Sequence, residues 1–177
     1  GVSAYGVLMY VNFIYVAIFL GYSIGVAPVV GYHYGAKNHD ELKNLFKKSL
    51  ILMAVAGVAL TALAEALAAP LSKLFVGYDA ELYELTKHAF YVYSLCFVFT
   101  GVNIFGSGFF TALSNGKVSA IISFLRTVVF QVAAVLLLPQ ITGGVGGVWW
   151  SVAVAEFLSF AVTVFCFLRY RKKYDYV

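Results

Sequence analysis

The chain has 177 residues, of which 62% are hydrophobic, 18% aromatic and 11% charged, with a formal net charge of +4. A soluble domain is about 45–50% apolar and about 25% charged, so this composition excludes a water-soluble globule and predicts an all-α, polytopic integral membrane protein. The positive balance alone would suit nucleic acid, but the basic residues sit in short clusters between apolar runs, so no nucleic-acid partner is expected.

Residues 1–36 contain no Asp, Glu, Lys or Arg. At ~1.5 Å per residue they exceed a ~30 Å hydrocarbon core, which predicts a first span over about 4–35, broken or ending irregularly. The chain opens at Gly1 inside this apolar run, without the basic region of a signal peptide, and reads as a piece of a longer protein. The second half of the span, "GYSIGVAPVVGYHYGAK", is dense in glycine. Gly21/Gly25 and Gly31/Gly35 are small-xxx-small pairs, expected to let helices approach closely. Pro28 lacks a backbone donor and is expected to kink or end the helix, so Gly25 and Pro28 form a candidate hinge.

The polar segment 37–48 leads to a second span, 49–72, which contains Glu65. A hydrophilic loop with an amphipathic part follows, 73–88, and then an uncharged third span, 89–114. "NGK" (115–117) reads as a tight turn. The fourth span, 118–138, contains Arg126; "PQITGGVGG" reads as a loop; the fifth span, 148–168, contains Glu156. Five helices joined by short loops make one membrane domain.

Lysine and arginine set the orientation. If the spans alternate, Lys37, Lys43, Lys47, Lys48, Lys117, Arg169, Arg171, Lys172 and Lys173 share one side, and only Lys73 and Lys87 lie on the other. That asymmetry predicts a cytoplasmic C-terminus.

Ionisable groups within spans cost at least ~2.5–3.5 kcal/mol near the bilayer centre, so each needs a partner, a wet cavity or a function. Arg126 and Glu156 are each the ninth residue of spans running in opposite directions. They therefore differ in depth by only about 6 Å, which two long side chains can bridge. This predicts a buried structural ion pair, with a cavity-facing, ion-coupling Glu156 as the alternative. Glu65 lies near the outer end of its span, where it can snorkel or serve as a cation or proton site. Neutral polar residues form stripes: Asn12, Tyr15, Phe19 and Tyr22; Thr100, Asn103, Ser107 and Thr111; Ser119, Ser123, Thr127 and Gln131. Such stripes serve either packing between helices or a wet path. As a path, its expected lining is Asn12, Tyr15, Thr100, Asn103 and Ser107.

No catalytic cluster, nucleotide loop or metal-ligand spacing stands out, so neither an enzyme nor a cofactor is expected. Cys96 and Cys166 lie in apolar runs, and His33 and His39 read as a solvated junction beside Asp40 and Glu41 rather than a metal site.

Several stretches resemble one family. "GYSIGVAPVVGYHYGAKNHDELKNLFKKS" resembles the Gly-rich, Pro-containing helix end of multidrug and toxin extrusion (MATE) transporters. "GVNIFGSGFFTALSNGKVSAIISFLRTVVFQVAAVLLLP" resembles their later helix pair, and "GGVGGVWWSVAVAE" the start of their final helix. The resemblance implies that the five spans correspond to helices eight to twelve, within the second of two six-helix lobes, with the N-terminal lobe as the missing partner. It implies export of organic, often cationic, compounds in exchange for Na+ or H+, from a bacterial inner membrane. A lipid-linked oligosaccharide flippase of the same superfamily and a non-transport structural subunit are the alternatives. Sodium-coupled members carry an acid in the helix matching the third span; Thr100 stands at that position here.

Overall fold

The computed structural model describes residues 2–177. Seven α-helices and one π-helical segment follow in order: α1 (Val2–Gly35), α2 (His39–Val76), α3 (Ala80–Ser94), α4 (Phe97–Ala112), α5 (Gly116–Phe124), the π segment (Leu125–Phe130), α6 (Gln131–Thr142) and α7 (Gly146–Tyr174). α1, α2, α7 and the run from α5 to α6 are each long and apolar enough to cross a bilayer. α3 and α4 together make a fifth, bent by 45°. The protein is thus an all-α, multi-pass membrane protein.

The helices outrun the apolar spans, because local capping carries the backbone into polar sequence. Asn38 accepts from the Glu41 N–H, so α2 begins ten residues before its apolar core. Asp79 accepts from the N–H groups of Glu81 and Leu82 at 3.0 and 3.1 Å, so the amphipathic part of 73–88 is the opening of α3. At the other end Pro139–Thr142 stay helical, and Gly143, in the left-handed region at φ 72°, closes α6.

α1 differs from expectation. It is one helix through Pro28 to Gly35, not a broken one. A Cβ placed on Gly21, Gly25 or Gly35 would meet nothing within 4 Å, so these three do not bring helices of this chain together; of the four, Gly31 lies against α4, where its Cβ would be 3.5 Å from the Ala112 carbonyl oxygen. The close approaches occur elsewhere. A Cβ on Gly57 of α2 would lie 2.7 Å from the Phe97 carbonyl oxygen, and one on Gly101 of α4 would lie 2.8 Å from the Phe19 ring. Small residues are needed where backbone meets helix, and α4 is where that happens: it packs against α1, α2, α5 and α7.

The bend between α3 and α4 frees carbonyls that hydrocarbon cannot solvate. Side-chain hydroxyls take part of that load. Thr61 of α2 donates to the Ser94 carbonyl at 3.1 Å, and Ser94 donates to the Tyr91 carbonyl at 3.2 Å.

The basic ends of the helices close on an aromatic cluster. Phe46, Phe109, Phe110, Phe167 and Tyr176 stack with centroids as close as 4.7 Å. Asp175, at φ 51°, turns the chain back after α7 so that Tyr176 is fully buried. The Tyr176 hydroxyl donates to the Phe167 carbonyl at 2.6 Å, and Asp175 pairs with Lys43 at 3.1 Å.

Candidate functional site

The deepest charges of the chain meet at one place. Arg126 comes from the π segment, whose wider turn interrupts the α-helical register between α5 and α6. Its Nε donates to both carboxylate oxygens of Glu156 on α7, at 2.9 and 3.2 Å. Asn103 of α4 completes the arrangement: its Nδ2 donates to Glu156 Oε2 at 2.7 Å and to the Glu156 carbonyl at 3.0 Å. Thr163, one helix turn beyond Ser159, donates to Asn103 Oδ1 at 3.2 Å, an acceptor it shares its hydrogen with alongside the Ser159 carbonyl. Three helices are thus tied through one carboxylate.

The cluster is net neutral and mostly withdrawn from solvent; the Arg126 and Glu156 side chains are 19% and 11% exposed. Desolvating both charges costs several kcal/mol, which short geometry and the extra Asn103 donor offset. The Arg126 Nη groups make no hydrogen bond among the described residues. Arg126 lines a cavity of about 250 Å³ together with Asn12, Tyr93, Thr100, Gln131 and Glu156 among others.

The expected path residues divide. Asn12 and Thr100 reach this cavity. Tyr15 does not: it is buried against Phe97, centroids 4.6 Å apart. Asn103 is fully buried behind Glu156 and reaches the cavity only through it. Ser107 lies outside the cavity lining, bonded to Ser119 and Ser123 of α5 at 2.9 and 2.8 Å; Thr111 adds a bond to Ser119 at 2.7 Å. The polar stripe of α4 therefore holds helices together along most of its length, as neutral hydroxyls do in hydrocarbon. Phe19 and Tyr22 likewise face the core, and Tyr22 bonds Ser49 at 2.8 Å. Glu65 is half-buried on α2 and has no hydrogen-bond or ion-pair partner among the described residues. Gly25 and Pro28 are exposed on an uninterrupted helix.

Sequence reasoning missed the π segment, the Asn103–Glu156 bonds, and Tyr5 and Tyr93 in the cavity wall. The first leaves no periodic signal in so apolar a run. Tyr93 carried a signal: it stands seven residues before Thr100, with Cys96 between them, a spacing that shares one helix face.

Comparison with known proteins decides the family. The model of the MatE family matches residues 1–137. The chain belongs to the MatE family. Two solved structures share its fold over 99% of its length. One is described as the outward-facing conformation of a multidrug resistance MATE family transporter of the MOP superfamily, with TM-score 0.86 and 21% identity. The other is a MATE protein in complex with MaL6, with TM-score 0.85 and 21% identity. The MatE chain spans 39% of the length of each of those proteins. No curated protein matches it.

Proposed function

We propose that this MatE chain is part of the C-terminal lobe of a secondary active antiporter, one that exports organic, often cationic, compounds in exchange for Na+ or H+. The observation that carries the reading is a charged, hydrogen-bonded cluster opening on a cavity within the membrane-spanning bundle. Intramembrane ionisable groups of this kind mark substrate or ion pathways. In this reading the substrate lies between this lobe and an N-terminal lobe outside the chain, and alternating access moves the lobes against each other. Asn12 and Thr100 supply hydrogen bonds, and Tyr5 and Tyr93 aromatic faces suited to a lipophilic cation.

Glu156 is the coupling acid in this account. Its oxygens are held by Arg126 and Asn103, so an incoming cation or proton must compete with a guanidinium for them. Glu65, without a partner, is the second coupling position. In this reading the protein lies in a bacterial inner membrane with the α7 end in the cytoplasm; the excess of Lys and Arg at that end supports the orientation. A flippase for anionic oligosaccharide carriers would need a more basic cavity, and here the one deep cation is neutralised by Glu156.

The test is dye efflux by the full-length protein under an imposed Na+ or H+ gradient, with Glu156→Gln, Glu65→Gln and Thr100→Val compared. Loss of ion-driven efflux in Glu156→Gln with expression retained supports the reading. Wild-type coupled efflux in all three variants overturns coupling through this lobe.

A further inference from the structure

A second feature lies on the outside of the bundle, between α2 and α7. Two apolar hollows of about 420 and 440 Å³ adjoin there and share Phe46, Leu50 and Val177. From Lys47 to Ala54 on α2, and from Phe160 to Leu168 on α7, the lining runs for roughly 11–12 Å along the helix axes, most of the depth of one ~15 Å leaflet. The inner end is almost wholly hydrocarbon-lined. The other end is basic: Lys43 and Lys47, one turn apart, line the mouth. Arg171 extends the groove face of α7 in the same direction, one turn beyond Phe167 and Leu168.

The charges at the mouth are not equivalent. Lys43 is committed to Asp175 at 3.1 Å. Lys47 has no ion-pair partner among the described residues. This whole end of the bundle carries nine Lys and Arg against Asp40, Glu41 and Asp175. A groove that is apolar at depth and cationic at its rim matches an amphiphile with acyl chains and an anionic headgroup.

We propose that this groove binds an anionic phospholipid, its chain along Leu50, Ala54 and Val164 and its phosphate at Lys47. A zwitterionic lipid fills the same apolar volume but gains less from the lysines, so the groove discriminates by headgroup charge. The site is separate from the Arg126–Glu156 cavity, which is lined from α1, α3, α4, the π segment, α6 and α7.

The experiment uses the full-length protein, purified in mild detergent and offered an equimolar mixture of phosphatidylglycerol and phosphatidylcholine, with retained lipid counted by native mass spectrometry. Phosphatidylglycerol should be retained preferentially. Lys47→Gln should lower that preference about five-fold, Lys43→Gln should lower it less because Lys43 is committed to Asp175, and Lys47→Arg should keep it. Ala54→Phe, which narrows the groove without touching charge, should lower retention of both lipids. Melting temperatures of the variants, read alongside, show that each is folded. Equal retention of the two lipids, an unchanged preference in folded Lys47→Gln, or no retained lipid of either kind overturns the proposal; the last outcome would mean that another part of the protein fills the groove.

Discussion

α4 and α7 run side by side through two unlike halves of the molecule. In the half towards the basic end, Phe109 and Phe110 of α4 meet Phe167 of α7, Phe46 of α2 and Tyr176 of the tail, ring on ring. In the other half, Thr100 of α4 and Glu156 of α7 border a cavity, with Arg126 reaching in from the π segment. Asn103 stands at the boundary. The solid half is held by contact area, which falls off within an ångström of separation. The hollow half is held by a few charge-assisted hydrogen bonds, which fix direction and leave room. One pair of helices therefore borders both a close-packed half and an open cavity.

That contrast can be broken in either half. The largest effect is expected from removing one member of the ion pair. Arg126→Ala or Glu156→Ala leaves its partner charged and buried, and should lower stability by about 3–5 kcal/mol, seen as a fall in the thermal midpoint of the purified full-length protein. Next is the aromatic half: Tyr176→Ala removes a fully buried ring and should cost about 3 kcal/mol. Tyr176→Phe keeps the ring and loses only the bond to the Phe167 carbonyl, about 1 kcal/mol. A Tyr176→Ala protein as stable as wild type would show that the tail does not close this end.

Smaller effects sharpen the account of glycine. Gly57→Ala drives a methyl group into the Phe97 carbonyl, and the helices α2 and α4 must part, at about 1–3 kcal/mol. Gly25→Ala should do the reverse. Its Cβ meets open space on a helical, exposed position, so stability should rise by about 0.5–1 kcal/mol from helix propensity alone. A marked loss in Gly25→Ala would show that a helix from outside this chain seats on that face.

Much of this was legible in the sequence, for physical reasons that differ by residue. Apolar runs of about 20 residues announce spans, because backbone in hydrocarbon must be helical. The meeting of Arg126 and Glu156 follows from similar depth in antiparallel neighbours, about 6 Å apart, since a rise of ~1.5 Å per residue converts position into height. Faces are harder. A stripe such as Thr100, Asn103, Ser107 and Thr111 says that hydroxyls and amides share a side, and nothing in the spacing says whether that side meets water or another helix. In the structure one stripe does three things: Thr100 borders the cavity, Asn103 holds a carboxylate, and Ser107 and Thr111 bind α5. Glycine pairs were misleading for a related reason. Gly21 and Gly25 have the spacing of a packing motif, yet close packing needs a partner backbone, and within this chain that partner stands at Gly57 and Gly101.

The central claim is that the Arg126–Glu156 pair works in transport and is more than a strut between α7 and the π segment. The double variant Arg126→Met/Glu156→Met separates the two roles, because it replaces both charges by apolar side chains of similar length and leaves none unpaired. Ion-driven dye efflux by this variant in the full-length protein is the measurement, with its melting temperature read in parallel. The account predicts a protein that melts near wild type and no longer couples efflux to the ion gradient. Wild-type coupled efflux from the folded double variant would contradict it.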